Sequence, residues 1–179
     1  MLMGTKIALR AREDDDVAIL HAELYEDVPT RSRGSMRPWR PISAGSLDSP
    51  YRVSSPDDEY LPFSVVELAG GELAGEASLW GLDAHNRSAH IGLGLRPSFR
   101  GQGLGTDVVA VLCEYGFAVR GLHRLQIDTL ADNAAMIRAA TSNGFGLDGT
   151  LRGAAWADGG FLDEVLYGLL VDDWRAASA

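Results

Sequence analysis

A turn with glycine at alternate positions, set between a strand-like stretch and a helix-like one, constrains this chain more than any other feature. Ala89 to Leu95 reads as a strand, closed by Arg96 and Pro97, since proline supplies no ladder donor. Leu104 to Arg120 reads as a helix, with Val108, Val111, Leu112, Tyr115 and Val119 at helical spacing and Gly121 at its end. Between them stand Gly101, Gly103 and Gly105. Without a Cβ, such positions let backbone N–H groups converge and let a ligand come close. The helix adds unpaired N–H groups and the positive end of its dipole. The combination makes a seat for phosphate or pyrophosphate, and a bare strand-to-helix turn is the alternative. No lysine follows the glycines, which argues against a nucleoside-triphosphate P-loop. The third glycine comes one residue early for a dinucleotide fingerprint, and Thr106 stands where that fingerprint wants Gly or Ala.

Arg100-Gly101-Gln102-Gly103-Leu104-Gly105 resembles the Arg/Gln-x-x-Gly-x-Gly/Ala signature of the GCN5-related N-acetyltransferases. Two further blocks agree in order. Asn133, a helical stretch to Asn143, and Gly144-Phe145 are similar to the family's Asn-helix-Gly-Phe segment. The tail from Gly149 through Tyr167 to Trp174 is similar to the branch that acetylates ribosomal-protein N-termini, which also resembles spermidine acetyltransferases. The likeness runs from about Ala74 to Trp174, is weaker over Thr5 to Tyr25 and is absent between.

The rest of the chain supports one α/β domain over residues 1–179. Ile7 and Leu9 mark a first strand. Asp14, Asp15 and Asp16 then suit a helix start better than a metal site, because consecutive helical residues point in different directions. Residues 28–62 hold six of the seven prolines and five arginines, and read as loops and short helices. Phe63 to Leu68 and Leu73 to Trp80 flank a glycine turn as a hairpin. Leu125 to Leu130 is a strand, and Asp132 or Asn133 caps the next helix. A last hairpin turns at Asp158-Gly159-Gly160. The order implies a mixed, mostly antiparallel sheet with helices on its faces.

Formal net charge is −9, which disfavours nucleic acid and suits a cationic amine. Cys113 is the single cysteine, so no internal disulfide forms, and it reads as an inert packing residue. No run reaches membrane-spanning length, and the cytoplasm is the default compartment.

The resemblance implies acetyl-CoA as co-substrate, no metal, and a splayed central strand pair holding the pantetheine arm near Leu93, Gly94 and Leu95. Gly92 and Gly94 fit that role, since glycine in a strand permits close approach. It implies further cofactor contacts from Arg100, Gly101, Gln102, Gly103, Leu104, Gly105, Thr106 and Asn133. The acceptor is then a primary amine on a protein N-terminus, a polyamine or another small molecule. Residues 28–62 cover the acceptor side, their arginines disfavour a strongly cationic acceptor there, and a homodimer is compatible with this reading. In the implied mechanism the amine attacks directly and the N–H of Leu95 stabilises the oxyanion. Asp128 or Glu76 serves as base. Two positions depart from the family. Ala140 stands where many members carry a tyrosine acid, and Met136 where the ribosomal-protein branch often has serine. A CoA-binding module without catalysis is therefore the alternative, and dinucleotide binding a more distant one.

Overall fold

The computed structural model describes residues 1–35, 37–53 and 59–177. One eight-stranded sheet runs in the order β1-β2-β3-β4-β5-β6-β8-β7. The strands are β1 Leu2–Met3, β2 Ile7–Arg10, β3 Tyr60–Glu67, β4 Leu73–Asp83, β5 Ser88–Leu95, β6 Arg124–Leu130, β7 Gly146–Ala157 and β8 Gly160–Leu170. The helices are α1 Asp14–Leu20, α2 Val28–Arg33, α3 Leu104–Glu114, α4 Ala134–Ser142 and α5 Val171–Ala177. All neighbouring strands are antiparallel except β5 and β6. The mixed, mostly antiparallel sheet read from the sequence is the one observed. No helix among the described residues is long and apolar enough to cross a membrane.

Strand alternation sorts the sheet into two faces. Ile7, Leu9, Val65, Ala77, Leu79, Ile91, Leu125 and Ile127 form the main core with Leu104, Val108, Val111 and Leu112 of α3. Ala139 and Ala140 of α4 join the same core, and Trp174 of α5 packs on Phe117 with ring centroids 5.3 Å apart. Gly121, with φ +67°, ends the α3 segment, which closes with one wide turn from Tyr115 to Val119. The opposite face presents Ser64, Glu76, Ser78 and His90, and α1 lies over part of it. Leu20, Leu24, Tyr25, Tyr51 and Leu73 make a second apolar cluster there.

Asp16 fastens α1 to that polar face. Its carboxylate pairs with Arg10 at 2.6 Å and accepts from the Ser64 hydroxyl at 2.7 Å and the Glu13 N–H at 2.9 Å. The acidic triplet is thus a helix start, with one member turned inward. Pro62 and Tyr60 lie in β3 rather than in the preceding loop. β2 pairs only with Ser64 to Glu67, so Pro62 meets no strand on that side and its missing N–H costs no ladder bond. The reading of residues 28–62 falls in part on 36 and 54–58, outside the described residues. Within the remainder α2 is helical. Trp39 donates from Nε1 to the Tyr25 carbonyl at 3.0 Å, and Tyr51 is buried.

Burial works to raise the Asp16 carboxyl, but the bonds from Arg10, Glu13 and Ser64 outweigh it and hold it below the ordinary carboxylate value. A depressed carboxyl stabilises the fold at neutral pH and loses that contribution as pH falls below about 4. Asp16→Asn should therefore cost about 1–3 kcal/mol at pH 7, since it removes the buried charge that Arg10, Ser64 and the Glu13 N–H all bond. Urea denaturation at pH 7 and at about pH 2.5 should show the gap between variant and wild type narrowing in acid.

Candidate active site

β5 and β6 pair only over Ser88–His90 against Arg124–Gln126, and then part. The Arg96 N–H donates to the Ala74 carbonyl on the β4 side at 2.9 Å. Alternation then turns the N–H and C=O of Leu95 and Leu93 the other way, into the gap, where no ladder partner meets them. The Leu95 carbonyl instead accepts from Arg100 Nε at 2.8 Å. Opening β5 from β6 so exposes a short run of backbone donors and acceptors at the centre of the sheet.

A cleft of about 680 Å³ follows this gap to the start of α3. It is lined by Leu93, Gly94 and Leu95, by Arg100, Gly101 and Gly103 to Thr106, and by Asn133 and Glu76. Gly101 and Gly103 have φ of +74° and +79°, the left-handed region that side chains disfavour, so the turn requires glycine. Asn133 caps α4 by accepting the Met136 N–H at 3.2 Å, and its amide donates to Thr129 Oγ1 at 2.9 Å. Thr106 is tied to the far end of α4 through its carbonyl, which accepts from Asn143 Nδ2 at 3.0 Å.

Two of the residues singled out from the sequence lie elsewhere. Gln102 faces away from the cleft; its Nε2 donates to the Ser98 carbonyl at 2.8 Å, and it lines a smaller hollow with Thr5 and Lys6. Asp128 sits on β6 outside the cleft lining. Its carboxylate bonds His90 Nδ1 at 2.7 Å and accepts from Gln126 Nε2 at 2.7 Å. The His90 ring stacks on Trp80, with centroids 4.2 Å apart.

The two candidate carboxylates have opposite electrostatics. Burial pushes the Glu76 carboxyl up, and Arg12 and Arg31 hold it back only in part. Arg12 Nη2 stands 3.5 Å from Glu76 Oε2. Burial also works on Asp128, but the bonds from His90 and Gln126 win and keep its carboxyl low. Glu76 lies opposite Gly94 across the β4–β5 pair, and a Cβ at Gly94 would sit 3.5 Å from Glu76 Oε1. The Glu76 carboxylate thus lies over Gly94, and both line the cleft.

Arg31, Arg33, Arg100 and Arg138 also line the cleft. Arg33, from α2, pairs with Asp132 at 2.6 Å and with Asp158 of the β7–β8 turn, so α2 forms one wall. Arg12, Arg138 and His90 were not singled out from the sequence, and Arg31 and Arg33 only as arginines of the acceptor-side stretch 28–62. Nothing in their spacing relates them to the glycine turn; only the sheet register and the path of residues 28–35 do.

The sequence pattern of the "Acetyltransferase (GNAT) domain" family matches residues 6–146. The chain belongs to the GNAT acetyltransferase family. It is 25% identical over 170 residues to an uncharacterized N-acetyltransferase p20 of Bacillus licheniformis, covering 94% of this chain and 95% of that one. Over 101 residues, 56% of each chain, it is 31% identical to the ribosomal-protein-serine acetyltransferase of Escherichia coli. Its fold superposes with a TM-score of 0.84 on the spermidine N-acetyltransferase of Vibrio cholerae in complex with CoA and spermine. That likeness covers 96% of this chain and 99% of the other, at 22% identity.

Cys113 lies in the α3 core, 1% exposed, and burial pushes its thiol up to about 12. A buried, protonated thiol is no nucleophile. Ellman's reagent should titrate no thiol in the native protein and one after denaturation; rapid native labelling would contradict the packing described.

Proposed function

We propose that this chain transfers the acetyl group of acetyl-CoA to a primary amine by direct attack, with Glu76 as general base. The observation that carries the reading is the junction of the opened β5–β6 gap with the left-handed glycine turn in one cleft. The residues fit the carrier in charge as well as shape. Four arginines against two carboxylates, Glu76 and Asp132, line the cleft of a chain with net charge −9; the local positive excess suits a ligand bearing several phosphates. The amides of Gly103 to Thr106 form the first turn of α3, where N–H groups have no partner within the helix.

Acetyl-CoA supplies an activated acyl group on a thiolate that leaves readily, its thiol being about as acidic as cysteine. The chain's own residues do the rest. Leu93 and Leu95 offer backbone hydrogen bonds along the gap, and the Leu95 N–H faces the place where negative charge develops on the acyl oxygen. An amine with a pKa of about 8 to 10 arrives protonated. Glu76 takes that proton, directly or through a water. A carboxylate raised by burial is better matched to this than one held low, which favours Glu76 over Asp128. Ala140 and Met136 offer no proton to the leaving thiolate, and we assign no other side chain to that step. Relatives named for a ribosomal-protein serine and for spermidine support a protein or polyamine acceptor, and we take the protein amine to be an N-terminus. We place the reaction in the cytoplasm, as a lone buried thiol and no disulfide suit a reducing compartment.

Thiol release from acetyl-CoA across a panel of amines, with product mass measured, tests the activity. Amine-dependent release is expected; CoA binding with no turnover on any amine would leave a recognition module instead. For the base, the acid limb of the kcat/KM profile should lie above the ordinary carboxylate range of about 4.3. Rate should rise as pH increases and Glu76 loses its proton. Glu76→Gln should lower kcat by about 10²-fold and remove that limb. A limb lost with Asp128→Asn and kept with Glu76→Gln would transfer the role to Asp128. Gly103→Val forces a side chain into the left-handed region, and should abolish the rise in melting temperature that CoA gives the wild type.

A further inference from the structure

Lys6 is the only lysine in the chain; the fifteen other basic side chains are arginines. It stands in the turn between β1 and β2, behind the glycine turn and outside the cleft. Its ammonium donates to the Gln102 carbonyl at 3.0 Å, and it lies 3.1 Å from where a Cβ on Gly103 would be. Among the described residues it has no carboxylate within ion-pair distance. The charge is therefore spent on the back of the glycine turn.

One carboxylate seats the turn that carries it. Asp107, in the first turn of α3, accepts the N–H groups of Thr5 at 3.1 Å, Lys6 at 2.7 Å and Ile7 at 3.0 Å, and the Thr5 hydroxyl at 3.0 Å. A Cβ at Gly4 would fall 2.4 Å from Asp107 Oδ2, so the seat requires glycine there too. Burial tends to raise the Asp107 carboxyl, but these donors hold it below its ordinary value. An ionised Asp107 at a helix N-terminus opposes a bound anion nearby, and Lys6 is the cation placed to offset it.

We propose that Lys6 is a positioning residue for the cofactor diphosphate. Its ammonium braces the Gln102 carbonyl from outside, which keeps the amides of Gly103 to Gly105 turned into the cleft, and its charge balances Asp107. This rests on the reading that the cleft binds acetyl-CoA.

Calorimetric dissociation constants for CoA and for 3′-dephospho-CoA test it, on wild type, Lys6→Met and Lys6→Arg. Lys6→Met should weaken both ligands by about tenfold, with the effect shrinking at high salt. Lys6→Arg should recover most of the loss. In turnover, KM for acetyl-CoA should rise by the same factor while kcat holds within about twofold, a split that a merely structural role would not give. Melting temperature without ligand should stay within about 2 °C, because the side chain is exposed. Unchanged CoA affinity in Lys6→Met overturns the proposal. So does a loss confined to CoA and absent with 3′-dephospho-CoA, which would place Lys6 on the 3′-phosphate. A wild-type protein that binds no CoA fails earlier, at the reading of the cleft itself.

Discussion

β5 and β6 share three register positions and then separate, and the cleft depends on that early parting. A parallel pair at the centre of an otherwise antiparallel sheet must be joined by a crossover, here α3. Had the two strands stayed paired to their ends, the N–H and C=O groups of Leu93 and Leu95 would have been consumed by the ladder. Because they are not, this backbone polarity faces the cleft, and the Leu95 carbonyl takes Arg100 as its partner instead of a strand. The glycine turn and α3 then begin where β5 ends, so the opened strand and the helix N-terminus share one cleft.

The sheet divides the remaining work between its faces. One face is apolar and packs α3 and α4, which fixes the position of the glycine turn. The other carries Ser64, Glu76, Ser78, His90 and Asp128, and is only partly covered by α1 and the chain that follows. On it two carboxylates flank the opened strand with different neighbours. Glu76 has Arg12 at 3.5 Å and the field of Arg31, which offset its burial only in part; Asp128 is held at both oxygens. Their proton affinities diverge for that reason, although both are acidic residues on the strands to either side of β5.

Much of this was legible in the sequence where the signal is local. Gly101, Gly103, Gly121 and Gly144 all take positive φ where turns and helix ends were expected, and Asn133 caps α4 as read. The strands from Ile7, Leu73, Ser88 and Arg124 fall where alternation placed them. What was not legible is the pairing between distant segments. That Arg12 stands beside Glu76, or that His90 reaches Asp128, follows from sheet register, which no spacing along the chain encodes. For residues 28–35 the local signal, Pro29 with Arg31 and Arg33, says only irregular chain; the resemblance alone set the longer stretch 28–62 on the acceptor side, and the contacts of Arg33 with Asp132 and Asp158 bring α2 to the cleft. Gln102 shows the limit of a motif: it lies within the signature but at one of its free positions, and its side chain turns outward to Ser98.

Arg33 is the fastening of that wall, and its strength can be bounded. Both of its acidic partners are more than half exposed. Ion pairs of this kind contribute between nothing and about 1 kcal/mol each, so the two together hold α2 with no more than about 2 kcal/mol. A contribution of that size shifts the balance toward the docked wall by at most about thirtyfold. α2 therefore depends also on its Asp27 cap and on Arg31, which lies over the Tyr25 ring 5.7 Å from its centroid. The floor of strand and glycine turn is set by the core, whereas this side wall leans on surface charge and should feel ionic strength.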